Sequence, residues 1–140
     1  MKTQKLDCDE YPDAMIPAVR AQRGSIVNIS SQLAKGWQEN VPAYIASKAA
    51  VIALTHCDAL DYVDHRIRVN CVLPGIVETP MTTPNEEVRK YMVNGPVAIT
   101  PMKRFGRPEE IADAIVFLAG SRSSFTTGAE FAIDGGYGAR

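Results

Sequence analysis

The chain has 140 residues, of which 46% are hydrophobic, and this length and composition fit one globular domain with its own core. Its 15 basic and 16 acidic residues nearly cancel and form no long run of one sign. The charge pattern therefore argues against a nucleic-acid or membrane-surface partner and favours a small neutral or mixed substrate. Since neither a signal peptide nor an apolar run of about 18 residues is present, we predict a cytoplasmic protein.

The cysteines and histidines give no indication of a disulfide framework or a metal site. Cys8, Cys57 and Cys71 are odd in number and lack the Cys-x-x-Cys spacing, which predicts reduced thiols. His56 and His65 have no acidic or cysteine partner at metal-ligand spacing. We predict no metal.

The first half of the chain predicts a helix, a strand and a second helix. Residues 1–10 are a polar leader, and a helical pattern from Tyr11 to Arg23 is weakened by Pro17. Ser25 to Ser30 is β-branched and apolar, as in a strand of a parallel sheet that is buried on both faces. A loop over 32–42 then leads to a long helix over 43–62, where small and apolar residues recur at helical spacing.

The second half predicts two more strands and a helix. Residues 66–73 form a strand that Pro74-Gly75 ends. Residues 76–107 contain four prolines and a helical stretch near 85–93, and we interpret them as an excursion that covers substrate. Pro108 begins an amphipathic helix, and residues 128–134 form a third strand.

This order of elements predicts an α/β fold, a βαβαβ unit with right-handed crossovers in a Rossmann-type, doubly wound parallel sheet. Ligands of such sheets bind outside the carboxyl ends of the strands. Here those ends carry Ser30-Ser31, Pro74-Gly75 and Asp134-Gly-Gly136. We expect the first two to lie together.

Tyr44 and Lys48 lie four residues apart at the start of the long helix, so their side chains share one face. Taken alone, a Tyr-x-x-x-Lys pair is usually a helix surface pair. Ser31, at the end of the preceding strand, places a hydroxyl in the same crevice and favours a catalytic role.

Several motifs together resemble the short-chain dehydrogenase/reductase family, especially its β-ketoacyl-reductase-like branch. They are Gly24-Ser-Ile-Val-Asn-Ile-Ser-Ser31, Tyr44-Ile-Ala-Ser-Lys48, Arg68-Val-Asn-Cys-Val-Leu-Pro74-Gly75, Pro101-Met-Lys-Arg-Phe-Gly-Arg-Pro-Glu-Glu110 and Thr127-Gly128 through Asp134-Gly-Gly136. The family's catalytic serine precedes its tyrosine by thirteen positions, as Ser31 precedes Tyr44.

The resemblance implies a reaction and the residues that carry it. A hydride would pass between NAD or NADP and a ketone or secondary alcohol. Tyr44 would move the proton, Lys48 would favour the phenolate and hold the ribose of the cofactor, and Ser31 would polarise the carbonyl. Four further residues match the segment that cradles the nicotinamide, which are Pro74, Gly75, Ile76 and Thr79.

The resemblance covers residues 11–140 and corresponds to the C-terminal half of a family member, with the first half missing. The 140 residues contain no Gly-rich turn for the pyrophosphate, so the adenosine side of the cofactor site is absent and activity is expected to be impaired. Two alternatives are a catalytically silent interaction or regulatory module and a non-redox acid/base enzyme. The identity of the substrate and the choice between NAD and NADP stay open.

The missing half also has a structural consequence. Strand 25–30 would lack its outer neighbour, which leaves an apolar edge for association. We therefore predict a homo-oligomer, or association with a chain that supplies the missing half.

Overall fold

The computed structural model describes residues 23–36 and 38–140. Their three parallel strands are β1 (Gly24–Ile29), β2 (Ile67–Pro74) and β3 (Glu130–Ile133), in the order β1-β2-β3. Together with the helices this confirms the predicted α/β, Rossmann-type parallel sheet. The polar leader and the helix predicted from Tyr11 lie outside the described residues, except for Arg23 at the helix's end.

The main helices are α1 (Pro42–Asp61), α2 (Glu86–Met92) and α3 (Pro108–Ala119). Helices α1 and α3 cover opposite faces of the sheet. Ser25 and Asn28 of β1 point to opposite sides, and each of them contacts one of the two helices. The Ser25 hydroxyl donates to the carbonyl of Leu118 in α3 at 2.8 Å, and Asn28 Nδ2 donates to Thr55 Oγ1 in α1 at 2.9 Å. The sheet is thus wound on both faces, as predicted.

The core lies between β2 and α1, where Ala59, Tyr62, Ile67 and Val69 are buried and Ile26 packs against them. Helices α1 and α3 both pack on the central strand β2, so both of its faces are covered, which explains its nearly continuous apolar sequence. Among the described residues no helix is long and apolar enough to cross a membrane.

Several element ends differ from the sequence-based expectation: β1 starts and ends one residue earlier than 25–30, β2 starts and ends one residue later than 66–73, and α1 and β3 differ for local reasons. Helix α1 begins at Pro42 rather than Ala43, because proline already has the φ of a first helical turn and needs no N–H there. Strand β3 is shorter than 128–134: Gly128 has a φ of +69°, and the Asp134 carboxylate accepts hydrogen bonds from the backbone N–H groups of Gly136 and Gly138. A turn, not a strand, therefore occupies each end of that segment.

The excursion after β2 folds back onto the sheet. Its helical part is α2, which Asn85 caps and which continues as a single π turn over Val93–Val97, where Pro96 lacks the N–H that a regular helix would use. At its base, Gly106 N donates to the carbonyl of Ile76 at 2.8 Å. Near its end, Met102 N donates to the carbonyl of Gly135 at 3.1 Å, so the segment is anchored beside the carboxyl ends of two strands.

Candidate active site

The carboxyl end of β1 leads directly into a buried serine. Ser31 is 7% exposed and caps a 3-10 turn over Gln32–Lys35, in which Leu33 N donates to Ser31 Oγ at 3.2 Å. The serine oxygen therefore accepts from the backbone. Its O–H hydrogen can donate to another group.

Lys48 is fastened to the end of β1 by a pair of hydrogen bonds that we call the β1–α1 clasp. Ser30 Oγ donates to the carbonyl of Lys48 at 2.7 Å, and Lys48 Nζ donates to the carbonyl of Ile29 at 3.1 Å. Both bonds join the first turns of α1 to the strand end. The clasp therefore fixes the lysine relative to the sheet.

Tyr44 lies one helical turn before Lys48 on the same face of α1. The Lys48 ammonium nitrogen is 5.9 Å from the centre of the Tyr44 ring, and the tyrosine is 45% exposed. The phenol is therefore accessible to a ligand while a cation stands beside it.

Four of the predicted site residues, Ser31, Tyr44, Gly75 and Ile76, line one cavity of about 710 Å³ that we call the Tyr44 cleft. The cleft lies between the carboxyl ends of β1 and β2, the start of α1 and the excursion after β2. The other three predicted residues, Lys48, Pro74 and Thr79, are not part of its lining.

The sequence matches known proteins over most of its length. A family described as Enoyl-(Acyl carrier protein) reductase matches residues 12–138. The short-chain dehydrogenase fogB of Aspergillus ruber is 48% identical over 114 residues, which are 81% of this chain and 42% of that protein. The 3-oxoacyl-[acyl-carrier-protein] reductase FabG of Thermotoga maritima is 42% identical over 118 residues, 84% of this chain and 47% of that protein.

The chain belongs to the short-chain dehydrogenase/reductase family. Its resemblance to the ketoacyl-reductase-like branch is thereby confirmed. The aldohexose dehydrogenase of Thermoplasma acidophilum superposes with a TM-score of 0.80 at 37% identity, covering 87% of this chain and 51% of that structure. The chain spans about half the length of the curated relatives that it matches.

Gly75 is required by the fold of this short-chain dehydrogenase/reductase chain, whatever ligand the cleft takes. A Cβ on Gly75 would lie 2.6 Å from Asp134 Cα and 2.9 Å from Gln32 Oε1. The family resemblance implies only that Gly75 belongs to the segment that cradles the nicotinamide. The structure shows that the protein's own packing also requires a glycine at position 75, because the backbone of Asp134 passes close to where the Cβ would be.

The predicted carboxamide-binding residue Thr79 lies beside the cleft. Its neighbour Thr82 does line the cleft, and the two hydroxyl oxygens are 3.2 Å apart. Thr82 Oγ1 also accepts from Thr79 N at 3.0 Å. Thr79 therefore holds Thr82 in place, and its role toward a cofactor stays a prediction.

Two site residues were missed in the sequence. Ser30 was identified only as part of the strand end, yet its hydroxyl forms half of the β1–α1 clasp. Gln32 is 8% exposed, lines the cleft, and its Oε1 has no hydrogen-bond partner among the described residues. A polar residue directly after a strand end was the available signal for Gln32, whereas the clasp uses backbone carbonyls that no sequence pattern marks.

The donor set fits the nicotinamide end of NAD(P). Only one hydrogen bond of the Lys48 ammonium group is formed within the described residues, and an ammonium group has three donors, so donors remain for ribose hydroxyls. The cleft beside it, at about 710 Å³, has room for a nicotinamide ring and a small substrate. Residues of the kind that hold the pyrophosphate, a Gly-rich turn before a helix, do not occur in the sequence.

Proposed function

We propose that this chain carries the proton-transfer site of an NAD(P)-dependent oxidoreductase that interconverts a ketone and a secondary alcohol. The observation that carries the proposal is the placement of Ser31 and Tyr44 on one cleft, with Lys48 clasped beside the tyrosine. Membership of the short-chain dehydrogenase/reductase family supports the same reaction class.

Each of the three side chains has a defined task. The Ser31 hydroxyl donates to the substrate oxygen and stabilises the negative charge that develops on it, because Leu33 N already occupies one lone pair of the serine. The Tyr44 hydroxyl gives its proton to that oxygen in reduction and takes it back in oxidation. The Lys48 ammonium group stabilises the phenolate that reduction leaves. A bound nicotinamide supplies or accepts the hydride.

We further propose that the residues of this chain hold only the nicotinamide half of the cofactor. If so, reduced nicotinamide mononucleotide and NADH should bind the 140-residue chain equally well, within about twofold. Losing several charge-assisted hydrogen bonds of roughly 1.5–3 kcal/mol each weakens binding from micromolar toward tens of millimolar. Reduction of a generic ketone with NADPH by this chain alone should then be negligible.

Fluorescence titration of both nucleotides tests the proposal. Lys48→Met should weaken both by a similar factor, whereas Lys35→Met, a control outside the Tyr44 cleft, should change neither. NADH binding that is 100-fold tighter than mononucleotide binding would contradict the half-site. If the chain reduces a ketone at ordinary enzyme rates and Tyr44→Phe abolishes this activity, the proposed role of Tyr44 is upheld and the proposal of a nicotinamide half-site is refuted. If Tyr44→Phe leaves the rate unchanged, the proposed role of Tyr44 is refuted.

We also propose that α1 packs against a second copy of the chain. The helix has an exposed stripe of small and apolar residues, and only Thr55 and Ala59 of the helix are fully buried. The stripe consists of Ala46, Ala50, Ala53, Leu54 and Cys57. Such a continuous apolar face is typical of a helix that is covered in an assembly.

A further inference from the structure

The outer wall of the Tyr44 cleft is polar and carries no positive charge. Its amide side chains are those of Gln32, Gln38, Asn40 and Asn94, and its only charged residue among those described is Glu39. No lysine, arginine or histidine of residues 23–36 and 38–140 lines the cleft. Glu39 forms no salt bridge within the same residues, so its carboxylate can act on a ligand.

Two positive charges, those of Lys35 and Arg104, pair with carboxylates outside the cleft lining, whereas the Lys48 cation stands beside Tyr44. Lys48 Nζ donates to the carbonyl of Ile29, and Lys35 pairs with Glu130 at 3.1 Å. Arg104 pairs with Glu110 at 2.8 Å. The lining that a substrate would face therefore holds neutral dipoles and one anion, and the Lys48 ammonium group lies outside this lining, beside Tyr44.

Another part of the lining is largely apolar and suits a ring. Tyr91, Met92, Pro96 and Ile99 contribute it from the excursion after β2. Amides both donate and accept hydrogen bonds, which matches hydroxyl groups, while apolar side chains match the faces of a carbon ring. The cleft thus offers contacts for a cyclic, hydroxylated molecule.

We propose that the Tyr44 cleft selects neutral, hydroxylated, cyclic substrates and discriminates against anionic ones such as carboxylates. This inference rests on the proposed function, since it names the substrate class of the same site. Glu39 is its specificity-determining residue. A carboxylate in the lining repels a ligand carboxylate, and at the high effective dielectric of an open cleft this repulsion weakens binding by roughly three- to tenfold.

The test compares two ligands of the same shape and different charge. The 140-residue chain is titrated, without nucleotide, with cis-4-hydroxycyclohexanecarboxamide and with cis-4-hydroxycyclohexanecarboxylate at pH 7.5 and low salt, by ligand-observed NMR. We expect the carboxamide to bind about three- to tenfold more tightly. Glu39→Gln should bring the ratio close to one, while Glu109→Gln, a carboxylate outside the cleft, should leave it unchanged.

Three results would overturn the inference: equal or tighter binding of the carboxylate, a ratio that Glu39→Gln does not change, or no binding of either compound at tens of millimolar. None of them bears on the proposed hydride-transfer site, which the nucleotide titrations test separately. The opposite case can also be distinguished. If the nucleotide titrations fail but the charge preference depends on Glu39, the cleft is a binding site that lacks the proposed chemistry.

Discussion

Replacing Gly75 with alanine should destabilise the fold because the new methyl group has no space. Gly75 does not have a positive φ, so alanine can adopt its backbone conformation. The destabilisation therefore comes only from the contacts of the added Cβ. The Cβ would lie 2.6 Å from Asp134 Cα and 2.9 Å from Gln32 Oε1. Gln32 can rotate away, but Asp134 backbone is tied to the same place, since Gly75 N donates to the carbonyl of Ile133 at 2.8 Å.

Overpacking of this kind costs about 1–3 kcal/mol, and a rigid backbone neighbour favours the upper part of that range. For a chain of this size the melting temperature should fall by about 5–10 °C. Thermal unfolding followed by circular dichroism measures the shift. The matched control is Gly95→Ala, because nothing lies within 4 Å of a Cβ at Gly95 and its φ is not positive.

We expect Gly95→Ala to melt at the wild-type temperature or slightly above it, since alanine restricts the unfolded chain. A melting temperature of Gly75→Ala within about 1 °C of wild type would refute the packing argument. An equal loss in both variants would show that the effect does not come from the contact with Asp134.

Two further predictions concern charge and assembly. The Arg104 guanidinium donates to the Glu110 carboxylate at 2.8 and 2.9 Å and lowers the pKa of that carboxyl from 4.5 to about 2. The pair therefore stabilises the fold above pH 4.5, and this stabilisation is lost as the pH falls toward 2. Urea unfolding of wild type and Glu110→Gln should therefore differ most at pH 7 and converge as the pH falls toward 2, with Glu109→Gln as control. A difference that grows on acidification would contradict this. Ala53→Arg, on the exposed stripe of α1, should leave the circular dichroism spectrum unchanged and shift sedimentation toward the monomer, whereas an unchanged assembly would argue against packing through α1.

The elements that the sequence predicted well are those with strong local signals. Strand β1 and the central strand β2 are apolar and β-branched because both faces of the sheet are covered, and Pro42 and Pro108 mark helix starts. The spacings among Ser31, Tyr44 and Lys48 pointed to one crevice, and the structure places the serine and the tyrosine on one cleft.

The features that sequence reasoning missed depend on partners far along the chain or on backbone atoms. The constraint on Gly75 comes from Asp134, which belongs to the turn after β3. Gln32 is buried with its Oε1 beside Gly75, which is 43 residues away, and the π turn around Pro96 is defined by backbone hydrogen bonds. Apart from the polar residue directly after the end of β1, residue types do not indicate such contacts.

The β1–α1 clasp has a consequence for how the site can be lost. Helix ends commonly fray in small, independent openings, which hydrogen exchange detects as weakly protected amides. Ser30 and Lys48 bind each other's segments reciprocally, so an opening of α1 that includes Lys48 must also break its two hydrogen bonds to the end of β1. Lys48 and the end of β1 therefore belong to one cooperative unit, so an opening that displaces this lysine also releases the strand end beside Ser31.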